Sequence, residues 1–324
     1  MRIKAFTGAL SVLAAASLAL SGCSAPTSSS GSNGTIKIVA ATDVYADIAK
    51  QVGGDKVEVT AIIASTSQDP HSYEATSADR LKTKDAQLVV INGGGYDLFL
   101  EDMAGKDNPN QKVVNAVKES GKLSDADYKH LVEDHAKGHS HESGDHAGHE
   151  HAHEFNEHIW YDMDSMKKTA DKIAEDLASI DSANAETYRS NAKKFDEELD
   201  TISKDAKAIN ASGKKYLSTE PVPDYLISTT GAENATPEEF AEAVEAEQDV
   251  PALVLKETKD LVSEKKVQLV AYNEQTATNQ TKEVLNEAKK AGVANVSFTE
   301  TLPESIGYVS WMKTNVNNLK KALS

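Results

Sequence analysis

Gln87-Leu-Val-Val-Ile91, followed at once by Asn92-Gly-Gly-Gly95, is the stretch on which the fold turns. A continuous apolar run of that length, with no alternation, reads as a strand covered on both faces, and the glycines let the backbone turn sharply at its end. Working outward, Ser77 to Lys84 is helical, and Ile36-Lys-Ile-Val-Ala-Ala and Val57-Glu-Val-Thr-Ala-Ile-Ile are β-branched runs of strand length. Between those two lies a helix-like Val44 to Val52 segment closing on Gly53-Gly54. Strand and helix alternating at this spacing predict a doubly wound, mainly parallel sheet. The second half repeats the alternation. Lys215-Tyr-Leu-Ser-Thr, Ala252-Leu-Val-Leu, Val267-Gln-Leu-Val-Ala-Tyr and Asn295-Val-Ser-Phe read as strands. Helices are expected at Pro237 to Glu247 (with Thr236 as N-cap), Thr258 to Lys265 and Lys282 to Ala291. The fold class is therefore α/β, with two lobes of similar size.

Between the halves, Met166, Ala170, Ile173, Leu177 and Ile180 recur at helical spacing. Tyr188, Ala192, Phe195, Leu199, Ile202, Ala206 and Ile209 then do so over more than twenty residues. A single apolar stripe on a charged helix packs along a surface. A stiff connector between two lobes and an ordinary peripheral helix fit that pattern equally. The expected organisation is a signal segment over 1–22, a tether over 23–35, an N-terminal lobe over 36–180, a linking helix over 181–211 and a C-terminal lobe over 212–324.

The first 22 residues have a charged start (Arg2, Lys4) and a short apolar stretch (Leu10 to Leu20), the pattern of a secretory signal. Leu20-Ser-Gly-Cys23 follows, and Cys23 is the only cysteine. A lone cysteine in an exported chain is free, paired outside the chain or modified. Its place after a small-residue cleavage site resembles a bacterial lipobox, which predicts a lipidated Cys23. Pro26 to Gly34 has nothing apolar to bury and reads as a flexible tether. A formal net charge of −17 argues against nucleic acid and anionic lipid and suits a protein that attracts cations.

The ten histidines are distributed unevenly. His130, His135, His139, His141, His146, His149, His151 and His153 crowd one acidic segment, 130–154, expected to be disordered; His158 closes the run and His71 stands apart. Imidazole among carboxylates at this density points to a divalent cation, with the segment as a secondary, low-affinity metal loop. His149-Glu-His-Ala-His153 formally satisfies His-Glu-x-x-His, but glycines at 138, 144 and 148 and the lack of an apolar stripe do not support the helix a metallopeptidase needs. No Gly-x-Ser-x-Gly elbow or phosphate-binding Gly-x-x-x-x-Gly-Lys loop is present, so no enzyme is predicted. His71 lies soon after one strand and Glu220 directly after another, where ligands bind in open α/β sheets. Taken alone, a loop histidine or a strand-end glutamate is ordinarily solvated, and His158, next to Ile159-Trp160, could equally be a core histidine.

Asp69-Pro-His-Ser-Tyr-Glu-Ala-Thr-Ser-Ala-Asp, Asn92-Gly-Gly-Gly-Tyr-Asp, the histidine-rich segment, Glu157-His-Ile-Trp-Tyr-Asp and Ser218-Thr-Glu-Pro-Val-Pro-Asp-Tyr-Leu occur in this order across nearly the whole chain. Together they resemble the solute-binding lipoproteins of manganese and zinc ABC importers. The resemblance implies two α/β lobes joined by one long rigid helix, with a metal in the cleft between them. It implies metal ligands at His71, His158 and Glu220, the last a position where histidine marks many zinc binders and glutamate many manganese binders. The fourth family ligand is a carboxylate after a late strand. Aligning on the Lys282 helix leaves Ala277 or Thr278 there, with Asn273, Glu274, Gln275 or water as replacements. The resemblance further implies Zn2+ as cargo (Mn2+ as the alternative), an ABC permease and its ATPase as partners, a monomer, and an extracytoplasmic place on the cell membrane through Cys23. Since histidine binds metal only when neutral, affinity is expected to fall as pH drops through about 6.5.

Overall fold

The computed structural model describes residues 34–68, 70–138, 155–246 and 248–324, with the backbone alone over 134–138. The signal, Cys23, the tether up to residue 33 and His139 to His153 lie outside the described residues.

Each half of the chain builds one four-stranded sheet, and every pairing among the described strands is parallel. The first half runs β1 (Ile36–Thr42), α1 (Asp43–Gly53), β2 (Val57–Ile63), α2 (Ser77–Asp85), β3 (Leu88–Ile91), α3 (Leu98–Glu101), β4 (Lys112–Asn115), α4 (Ala116–Ser120) and α5 (Asp125–Gly138). Its strand order is β2-β1-β3-β4, with Ile38 opposite Val59 on one side and Leu88 on the other. Parallel neighbours require crossovers, and the intervening helices supply them. All four residues of β3 are buried, as its unbroken apolar sequence requires of a strand covered on both faces. Thr76 and Asp79 form a reciprocal capping box that fixes where α2 begins, just downstream of His71.

Two long helices follow, α6 (Met163–Ile180) and α7 (Ala185–Lys207), packed against each other. The second half then runs β5 (Lys215–Ser218), α8 (Asp224–Thr229), β6 (Glu233–Asn234), α9 (Glu238–Glu245), α10 (Ala252–Ser263), β7 (Leu269–Asn273), α11 (Asn279–Ala291), β8 (Ala294–Phe298) and α12 (Tyr308–Ala322). Its order, β6-β5-β7-β8, repeats that of the first sheet. One face of each sheet has a core of its own. The other two faces share a single core with α1, α6, α7 and α12, into which α7 buries Tyr188, Ala192, Phe195, Leu199, Ile202 and Ala206. The long helix is thus a wall common to both sheets.

The halves are also stitched by hydrogen bonds around the loop between β8 and α12. Asp43 accepts from the Leu302 amide at 3.0 Å, and Asp47 from the Tyr308 amide at 2.8 Å. The Tyr161 hydroxyl donates to the Thr299 carbonyl at 2.8 Å and the Tyr308 hydroxyl to the Trp160 carbonyl at 2.5 Å.

Two local expectations are corrected. Ala252-Leu-Val-Leu is not a strand but the first turn of α10. A four-residue apolar run cannot declare its period, and here Val254, Thr258 and Val262 are buried at steps of four while Leu253 is 68% exposed, which is a helical face. Thr236 does not cap α9; Pro237 stands at the cap, and the Thr236 hydroxyl accepts instead from the Ser218 amide at 2.9 Å. No described helix is long and apolar enough to cross a membrane.

Candidate metal centre

The carboxyl ends of the strands of both sheets meet at one point. The turn after β3 shows how the first half prepares it. Gly93, Gly94 and Gly95 all have positive φ (79°, 70° and 94°), a region that side chains with a Cβ adopt only with strain. A Cβ on Gly93 would lie 2.4 Å from the Asn115 amide. The buried Asp97 carboxylate holds this turn by accepting from the Asn92 and Gly93 amides at 2.7 and 2.8 Å. Desolvation pushes its pKa up to about 7 even so. The Asn92 side chain, fixed by a 2.5 Å hydrogen bond from Tyr45, donates to the Glu157 carbonyl at 3.1 Å. The residue before His158 is thereby anchored to the sheet.

His158 is 1% exposed. Its Nδ1 lies 2.8 Å from Asn156 Oδ1, which also accepts from the His158 amide at 3.0 Å. The Asn156 Nδ2 donates to the Pro221 carbonyl at 2.9 Å, so its oxygen must face the imidazole. The ring therefore carries its proton on Nδ1, and the Nε2 lone pair points into the cleft. Among the described residues that buried Nε2 has no hydrogen-bond partner. Burial first, then the neighbouring His71, holds the ring's pKa well below the usual histidine range, so it is neutral at physiological pH. A neutral imidazole with one nitrogen pinned and the other bare is a ligand in waiting.

His71 enters from the loop after β2, its ring edge-on to Tyr96 at 4.8 Å and 5.9 Å from the His158 ring. Glu220 follows β5 and is 5% exposed. Its Oε2 accepts from Asn273 Nδ2 and from the Thr276 hydroxyl. Desolvation, then the adjacent Glu300, raises its pKa to about 7. Glu300, two residues past β8 and 1% exposed, accepts at Oε2 from the Tyr96 hydroxyl at 3.1 Å and at Oε1 from Asn273 Nδ2 at 2.8 Å. Its Oε2 is 3.8 Å from His71 Nε2. Ligand atoms of His71, His158, Glu220 and Glu300 all lie within 4.8 Å of one another. Two buried carboxylates side by side repel each other, and a divalent cation removes that cost.

The three residues expected as ligands thus converge. The carboxylate grouped with them, Glu300, follows β8, whereas Asn273, Glu274 and Gln275 lie at the end of β7. Asn273 is buried and donates to both glutamates, Glu274 is exposed, and Gln275 binds the loop. Its Oε1 accepts from the amides of Glu300 and Thr301 at 2.6 and 3.0 Å, and its Nε2 donates across to the Gln68 carbonyl at 3.2 Å. The signal for Glu300 was present, because it follows the strand read at Asn295-Val-Ser-Phe as Glu220 follows the strand before it. His130 lies exposed on α5 and is not part of the cluster; His135 lies on the same helix.

A profile of the ZnuA family, zinc-uptake complex component A, periplasmic, matches residues 38–322. The chain is 26% identical to the manganese ABC transporter substrate-binding lipoprotein PsaA of Streptococcus anginosus, with 98% of each chain aligned. Its fold resembles that of the periplasmic zinc-binding protein TroA of Treponema pallidum (TM-score 0.68, 16% identity, 90% of this chain and all of the other). It also resembles FpvC of Pseudomonas aeruginosa in complex with Mn2+ (TM-score 0.66, 22% identity, 89% and 98% covered). The parallel sheets, the converging strand ends and the match across nearly the whole folded chain lead to one conclusion: the protein belongs to the zinc-uptake component A family, the extracytoplasmic metal-binding receptors of ABC importers, and is not an enzyme.

Proposed function

We propose that this receptor captures Zn2+ and delivers it to an ABC permease driven by its ATPase, with His71, His158, Glu220 and Glu300 as ligands. What carries the reading is the meeting of two imidazoles from one half and two carboxylates from the other within 4.8 Å, with the buried His158 Nε2 lacking a partner among the described residues. Two nitrogens and two oxygens suit a four-coordinate zinc ion. The metal is cargo here, held while the receptor is loaded and given up to the permease. Cys23 carries the lipid that keeps the receptor at the membrane, and the segment with His130, His135, His139, His141, His146, His149, His151 and His153 gathers zinc weakly and passes it inward.

Calorimetric titration of zinc into the wild type and the His71→Ala, His158→Ala double variant is the test. The wild type should bind one equivalent tightly and the variant should lose it; unchanged tight binding in the variant would end the proposal. Deleting residues 139–153 should remove weak equivalents and spare the tight one.

A second reading keeps the site and makes Mn2+ the cargo. The relative from Streptococcus anginosus is named for manganese, and with Glu300 included two carboxylates supply as many as four oxygens, the donor type manganese favours. Direct competition between the two metals decides between the readings.

A further inference from the structure

Whether the two glutamates act as two oxygen donors or four depends on what holds their remaining oxygens. Asn273 is the last residue of β7, 3% exposed, with its amide pinned to the Thr219 hydroxyl at 3.0 Å. Its Oδ1 accepts from the Gln275 amide at 3.1 Å, so the NH2 group must face the other way, toward the carboxylates. There Nδ2 donates to Glu220 Oε2 and, at 2.8 Å, to Glu300 Oε1, and it lies 2.9 Å from the Thr276 hydroxyl. Thr276 in turn donates to the same Glu220 Oε2. One neutral amide therefore occupies one oxygen of each glutamate, and the hydroxyl beside it doubles the hold on Glu220.

We infer that Asn273, helped by Thr276, is the specificity-setting positioning residue of the site: by engaging Glu220 Oε2 and Glu300 Oε1 it commits one oxygen of each carboxylate, so that the ion is met by the other (for Glu300 the Oε2 that also accepts from Tyr96), and so favours a four-coordinate metal over a six-coordinate one. This rests on the ligand set proposed above. Monodentate glutamates with two imidazoles give four donors, the number zinc takes readily. The same side chains turned bidentate would give six, the number and oxygen-rich character that suit manganese. Hydrogen-bonding partners behind metal ligands govern ligand orientation and typically change affinity about 10–100-fold when removed.

The test compares wild type, Asn273→Ala and Thr276→Val by zinc–manganese competition and by the visible absorption of the Co2+-loaded proteins. Four-coordinate Co2+ absorbs strongly and six-coordinate Co2+ weakly. Asn273→Ala should lower the preference for zinc over manganese by about tenfold or more and weaken the cobalt bands. Thr276→Val, which removes only the second donor to Glu220 and leaves β7 intact, should shift both readouts the same way by less. If both variants lose zinc and manganese equally and keep wild-type cobalt bands, Asn273 is merely structural and the inference is overturned while the ligand set stands. A wild-type cobalt spectrum that is already six-coordinate also overturns it. The His71→Ala, His158→Ala variant, measured alongside, shows separately whether the ligand set itself has failed.

Discussion

Burial sets the chemistry of Glu220 and His158 in opposite directions. It depresses the imidazole, which is neutral well below pH 6.5, and lifts the carboxylate to about 7 in the metal-free protein. Metal needs both groups deprotonated, so of these two it is the glutamate that carries a competing proton. The sign follows. Above pH 7 Glu220 is already ionised and affinity is flat on its account; as pH falls below 7 each bound ion must expel a proton, and affinity drops by up to about tenfold per unit. For His158 the expected decline through 6.5 is thus removed, and Glu220 adds one that begins slightly higher. Calorimetry at pH 6 in buffers of different ionisation heat should show proton release as the ion binds. Glu220→Gln should bind more weakly and release fewer protons than the wild type; a wild type that releases no proton at pH 6 contradicts this account.

Among the elements, α7 separates packing from surface charge. Leu199 is fully buried in the core common to both sheets, whereas Glu198 beside it pairs with Lys313 across exposed surface, with side chains 51% and 44% exposed. Leu199→Ala should destabilise the protein by about 2–5 kcal/mol. Glu198→Ala should cost less than about 1 kcal/mol, because exposed ion pairs contribute little. Denaturant midpoints check both; equal effects would mean that α7 is held by charge and not by its stripe. That stripe was legible because a 3.6-residue period over six buried positions has no competing explanation. The strand at Leu88–Ile91 was legible for the opposite reason, since an unbroken apolar run needs cover on both sides. Short elements were not: β6 has two residues, β4 has four, and Ala252-Leu-Val-Leu could take either period until Pro251 and the buried steps of four decided it. In the site, His71, His158 and Glu220 were found through ordered motifs. Glu300 is harder to read because Thr-Glu-Thr carries no motif of its own; its place after a strand is the one signal, and its company comes from β8 pairing beside β7.

At the scale of the whole molecule, the folded unit spans Gly34–Ser324 and owes its core to apolar side chains, not to an ion. Stripping metal should leave the far-ultraviolet circular dichroism unchanged. Reloading should raise stability by about 4 kcal/mol when free metal is about a thousandfold above Kd. Unfolding on chelation would instead indicate a structural ion, as in a metal-containing adhesin. The loop between β8 and α12 has a wider consequence. It grows from the second sheet, yet α1 grips it through Asp43 and Asp47, Tyr161 grips it at Thr299, and Gln275 joins it to Gln68. A clamshell swing of one half away from the other would have to tear that seam. Unloading is therefore a matter of small rearrangements at the rim, and small-angle scattering should return nearly the same radius of gyration for the loaded and emptied receptor.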